Sequence, residues 1–198
     1  MNILTDTLPE TLLIGKRICR INTDFRPCLR TVMACEDDKL TQHEKAQIIL
    51  SNLFPDNNFS DPEEALEQAK WFLDGGRPGS STQESDETPM RLYSFIKDAN
   101  FIYAAFRQTH GIDLSTESMH WWKFLALFLD LGSDTTFCQL VGLRKRIKTG
   151  KATKDERAYA SEIKEIFYLE EPDVRSLDER EAEAAFIKAL KDSKKNKQ

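Results

Sequence analysis

The sequence predicts a mainly α-helical domain with a small N-terminal β-hairpin, on three observations. Glycine and proline together number 15 of 198 residues, so helix breakers are scarce. Valine occurs only three times, which leaves little of the β-branched material that strands favour. Several segments repeat apolar residues at three- and four-residue spacing, the pattern of a helix with one buried face. Leu, Ile, Val and Phe supply 49 residues. A chain of this length can bury about 70% of its extended surface without metal or disulfide support.

The hairpin falls within residues 10–22, where Gly15-Lys16, a turn pair, sits between two apolar runs, and apolar and polar residues alternate after Gly15 except at Ile18-Cys19. Thr23 and Asp24 offer an N-cap for a helix over about 24–35. Thr41 with Glu44 forms a capping box ahead of Ala46, Ile49, Leu50 and Leu53. Ser60 or Asp61 caps a third helix, with Pro62 and Glu63-Glu64 in its first turn, where the dipole favours acids. Ala65, Leu66, Ala69, Phe72 and Leu73 are its apolar stripe, and Gly75-Gly76 ends it. Residues 75–89 hold three glycines, two prolines and no large apolar residue, the composition of a linker.

A helix over about 90–110 places Leu92, Phe95, Ile96, Ala99, Ile102, Tyr103, Phe106 and His110 on one face, and Gly111 supplies its left-handed stop. Phe101 lies opposite that face, as a partner surface or as a second core contact. Met119 to Leu131 has ten apolar residues in thirteen, a buried helix too short to span a membrane. Adjacent Trp121 and Trp122 point about 100° apart on a helix, so one is expected in the core and the other against a second face or a partner. Ser133 or Asp134 starts a short helix through Phe137, Leu140 and Val141. A basic loop, 144–157, follows. Thr153 with Glu156 is a second capping box, opening a helix through Tyr159, Ile163, Ile166 and Phe167. A last helix is expected over about 176–192. The organisation is thus 1–74, hairpin plus helices; 75–89, linker; 90–170, helical core; 171–198, C-terminal helix and basic tail.

The net charge of −5 conceals blocks: −6 over 61–90 and +5 over 144–157. Such blocks suit partners or neighbouring copies that match them. No apolar run reaches the ~18 residues of a membrane span. Met1 to Leu13 carries Asp6 and Glu10 and no basic residue, unlike a secretory signal. Cys19, Cys28, Cys35 and Cys138 lack Cys-x-x-Cys spacing and read as reduced thiols of a cytosolic protein. The eight glycines form no phosphate-binding motif. His43, His110 and His120 show no ligand spacing, and His110 and His120 read as capping or lining the core edge. No catalytic, cofactor-binding or metal residue is therefore assigned. The basic block could contact phosphates, but no aromatic is interleaved and Asp155-Glu156 interrupt it. A solvated loop, or a dock for an acidic partner, is the stronger reading.

Several strings together resemble one family. They are Ile21-Asn22-Thr23-Asp24-Phe25-Arg26, Asp98-Ala99 with Ile102-Tyr103-Ala104-Ala105-Phe106, Gly111-Ile112-Asp113-Leu114, His120-Trp121-Trp122-Lys123-Phe124 and Gly142-Leu143-Arg144. In order and spacing they resemble the bacteriophage gene-product-fifteen family of tailed phages of Gram-positive hosts, over about residues 8–170. The resemblance implies a non-catalytic tail-assembly chaperone acting in the host cytoplasm. It would bind the tape-measure protein and help recruit tail-tube subunits; the charge blocks separately suggest self-association, and the apolar pattern suggests no membrane partner. Phe101, Trp121 and Trp122 are then candidates for an aromatic partner surface. Arg144, Lys145, Arg146 and Lys148 are candidates for a charged one. The competing reading is a nucleic-acid-binding or packaging accessory protein acting through 144–157.

Overall fold

The computed structural model describes residues 2–56, 59–77 and 90–169. Most of the linker expected at 75–89 and the whole of the C-terminal helix expected at 176–192 lie outside them. Among the described residues there are eight helices and a two-stranded antiparallel sheet, so the fold is mainly α with a small hairpin.

The hairpin pairs β1 (Thr11–Ile14) with β2 (Arg17–Arg20) about the Gly15-Lys16 turn, where Gly15 has φ 60°. That left-handed conformation is cheap only for glycine. Leu12, Ile14 and Cys19 point into the core, as the two-residue period of a strand requires. Helix α1 (Phe25–Cys35) is capped by Asp24, whose carboxylate accepts from the Arg26 amide. Helix α2 (Gln42–Leu53) starts at the Thr41–Glu44 capping box, with both reciprocal hydrogen bonds formed. Helix α3 (Pro62–Leu73) is capped by Asp61 and buries Ala65, Ala69 and Phe72.

Helix α4 (Ala99–His110) begins nine residues later than the sequence pattern suggests. Residues 90–94 are irregular and 95–98 form a turn instead. The Ser94 hydroxyl accepts from the Ile96 and Lys97 amides, and the Ser94 amide donates to Asp98. Serine and aspartate offer the backbone such local alternatives to a helix. Ile96, expected on the buried stripe, is exposed as a result. Helix α5 (Trp121–Leu129) is the central apolar element. Its outer edge, Lys123, Ala126, Leu129 and Asp130, is exposed.

Helix α6 (Thr136–Lys148) is capped by Thr135, not by Ser133 or Asp134, and runs seven residues past Val141. The first part of the expected basic loop is therefore helix. Lys145, Arg146 and Lys148 sit in its last turn, where the helix dipole favours cations. Gly150, at φ 71°, turns the chain into α7 (Lys154–Glu162), which opens on the Thr153–Glu156 capping box. The continuous helix expected through Phe167 breaks at Ile163 into α7 and a short α8 (Lys164–Phe167). Tyr159 and Ile166, expected on its stripe, are exposed, while Ala160 and Phe167 are buried.

One core cluster takes residues from both sides of 78–89, from Leu12 and Phe25 to Phe124 and Phe137. Phe124 is its centre. Its ring stacks on Phe25 at 5.0 Å, Phe106 at 5.1 Å and Trp121 at 5.4 Å. A second, smaller cluster joins Leu140, Leu143, Ala160 and Phe167.

Candidate partner-binding groove

The strings that carried the family resemblance meet in space at two junctions. At the first, the starts of α1 and α5 are tied backbone to backbone. The Phe25 amide donates to Met119 O at 3.0 Å, and the Trp121 amide donates to Thr23 O at 2.7 Å. Arg26 Nη2 donates to the carbonyls of Leu114 and Glu117, and the Ser118 hydroxyl donates to Asp24 Oδ2 at 2.6 Å. His120 completes this junction as the N-cap of α5. Its Nδ1 accepts from the Trp122 amide at 3.0 Å, so its Nε2–H donates to Pro9 O, also at 3.0 Å. Burial lowers the His120 pKa from its ordinary 6.5, and the neutral ring is the form that both bonds need. His110 lines the core edge, with Nε2 3.0 Å from Leu127 O and its ring edge-on to Phe106.

At the second junction Arg144 is 2% exposed and Asp98 is fully buried. All five donors of the guanidinium are used. Nη1 and Nη2 donate to Asp98 at 2.6 and 2.9 Å. Nη1 also donates to Leu92 O, Nη2 to Ile166 O and Nε to Phe167 O. One side chain thus joins the turn before α4, helix α6 and helix α8. Arg144 was expected to face a charged partner, and its burial overturns that expectation. The sequence pattern pointed to a basic loop because nothing local distinguishes Arg144 from Lys145; the distinguishing residue, Asp98, lies 46 positions away.

Both tryptophans are buried, at 1% and 6% exposure. Their indole N–H groups cap the end of α3: Trp121 Nε1 donates to Leu73 O and Trp122 Nε1 donates to Phe72 O, each at 2.8 Å. Both carbonyls belong to the last turn of α3, where i+4 helical donors run out, and Phe72 O also accepts from the Gly75 amide at 3.1 Å. Gly76 lies flat against the second ring. At φ 70°, a Cβ there would come within 2.3 Å of Trp122 Cη2. Gly75-Gly76, read as a helix stop and the start of a linker, is also a packing surface for α5.

Beside this packing lies a groove of about 520 Å³. Trp121, Trp122, Leu125 and Phe128 of α5 line it together with Val32, Tyr93 and Phe95. Ala126 and the 69%-exposed Leu129 lie at its lip, and Ile3 reaches its mouth from the N-terminal turn. Asp74 and Arg77 supply its charge. One tryptophan was expected in the core and the other against a second face or a partner; instead both belong to the core, and both border the groove. Phe101 does not line the groove. It is half-buried between the two core clusters, the second of the two roles considered for it.

Lys145, Arg146 and Lys148 are exposed on the α6–α7 elbow, with Lys151, Lys154 and Arg157 beside them. Arg146 is paired to Glu156 at 2.8 Å. Among the described residues no group of three or more His, Cys, Asp and Glu side chains is arranged to hold a metal, and no helix is long and apolar enough to cross a membrane. Cys28, Cys35 and Cys138 are free thiols. Burial, reinforced by Asp24, pushes the Cys28 thiol up to about 12, far from the range of a reactive thiolate.

Neither a curated protein nor a solved structure matches the chain. A family model described as Bacteriophage Gp15 protein does match it, over residues 4–169, and the chain belongs to that bacteriophage family.

Proposed function

We propose that the protein is a non-catalytic tail-assembly chaperone of the host cytoplasm. In this reading it holds the tape-measure protein through the groove beside α5 and helps recruit tail-tube subunits. The carrying observation is the groove itself, which is lined mostly by apolar residues, among them the accessible Leu125, Ala126 and Leu129 of α5 beside the buried Trp121, Trp122 and Phe128. A long helical tape measure presents apolar side chains at three- and four-residue spacing, and a trough of this kind accepts such a face. Large aromatics supply much of the binding energy in such contacts. The exposed cations of the α6–α7 elbow and the acids of α3 offer complementary faces for neighbouring copies along one tape-measure chain.

Co-expression with the neighbouring tape-measure gene tests the reading. A soluble complex is expected on pull-down, and Ala126→Arg with Leu129→Asp should abolish it while leaving the fold intact. An insoluble tape measure with no recovered complex overturns the chaperone reading. A complex that survives the double change moves the contact elsewhere. The competing reading, nucleic-acid binding through 144–157, now rests on the exposed elbow without Arg144. It predicts nonspecific DNA affinity that falls steeply with salt.

A further inference from the structure

The hairpin exposes more than its packing role requires. Leu13 is 59% and Ile18 76% exposed, and the two are register partners, directly opposite each other on the outer face. The hydrogen-bond pattern shows which way β2 turns its backbone. The Ile21 amide donates to Glu10 O at 3.0 Å, so Glu10 and Ile21 are a bonded pair. Bonded and non-bonded pairs alternate along an antiparallel ladder. Leu12–Cys19 and Ile14–Arg17 are then bonded, whereas Leu13–Ile18 and Thr11–Arg20 are not. The N–H and C=O groups of Ile18 and Arg20 therefore point away from β1. The β1 side packs against α3, with the Gly15 amide donating to Glu64 Oε2 at 2.7 Å. On the β2 side no further strand is paired among the described residues.

Charge selects the occupant of this edge. Lys16 and Arg20 are exposed, and residues 11–20 contain no acid. A second copy's β2 would set cations against cations, which is how natural proteins discourage edge-to-edge association. We propose that the β2 edge accepts an extended acidic segment of a partner protein. Apolar side chains of that segment would cover Leu13 and Ile18, and carboxylates would sit beside Arg20 and Lys16. The backbone groups of Ile18 and Arg20 supply the affinity and the side chains the selection, as in other strand additions. This surface is separate from the groove and does not depend on what the groove holds.

The test uses the full chain and two short fluorescent peptides, one alternating Thr with Val and Glu, the other with Lys in place of Glu. Anisotropy at low salt should show the acidic peptide binding at least about tenfold more tightly. Arg20→Glu should remove or reverse that preference. Ile18→Pro should abolish binding while keeping the hairpin, because the lost N–H serves no bond to β1. Loss of binding with an intact far-ultraviolet spectrum supports the proposal. Equal binding of the two peptides, no binding of either, or a preference unchanged by Arg20→Glu overturns it.

Discussion

Around α5 the fold is held by many apolar contacts, with Phe124 touching the rings of Phe25, Phe106, Trp121 and Phe128. Between α4, α6 and α8 it is held by one guanidinium that reaches four residues. In the first region each ring pair contributes about 0.5–1.5 kcal/mol beyond its burial, so the loss of one is shared among neighbours. In the second, every donor is committed, and removing one partner leaves buried polar groups unpaired.

The largest effect is expected at the polar junction. Asp98→Ala strands the buried Arg144 charge and should cost about 3–5 kcal/mol in chemical denaturation. A simple buried ion pair can often be replaced by apolar residues without loss. Here Asp98→Leu with Arg144→Met should remain destabilised by about 2 kcal/mol or more, because the carbonyls of Leu92, Ile166 and Phe167 lose their donor. Full recovery in the double variant would erase the distinction between the two regions.

On the aromatic side, Gly76→Ala places a methyl against Trp122 at a positive φ. It should cost about 2 kcal/mol and shift tryptophan fluorescence. In a Trp122→Leu background the added cost should shrink, since the ring it strikes is gone. Thr153→Ala removes the capping box of α7 and should cost about 1 kcal/mol. The smallest effect concerns His120. Its folded pKa lies below the unfolded 6.5, so its contribution is fully present above pH 6.5 and is lost as pH falls through the folded value. Denaturation midpoints should be flat above that pH and decline below it. A His120→Asn variant, which keeps a capping oxygen, should decline less.

Much of the scaffold was legible before any coordinates. The Gly15-Lys16 turn, the caps at Asp24, Thr41, Asp61 and Thr153, and the Gly111 stop all appear where local chemistry placed them. The misreadings share a cause. The 90–98 segment has helical spacing, yet the side chains of Ser94 and Asp98 compete for its backbone. Arg144 stands in a basic run, yet its partner is far along the chain. At the groove, the residue types were visible as Trp121 and Trp122, but not the wall formed with Val32, Tyr93 and Phe95.

Caps, turns and left-handed glycines depend on atoms within four residues of one another, so their chemistry is written in short strings and survives in any context that leaves them exposed. The Arg144–Asp98 pair and the capping of α3 by two indoles depend on groups brought together across 46 to 50 residues, and the groove gathers residues from Val32 to Leu129. Desolvation sets their energies, and desolvation exists only once the helices have packed.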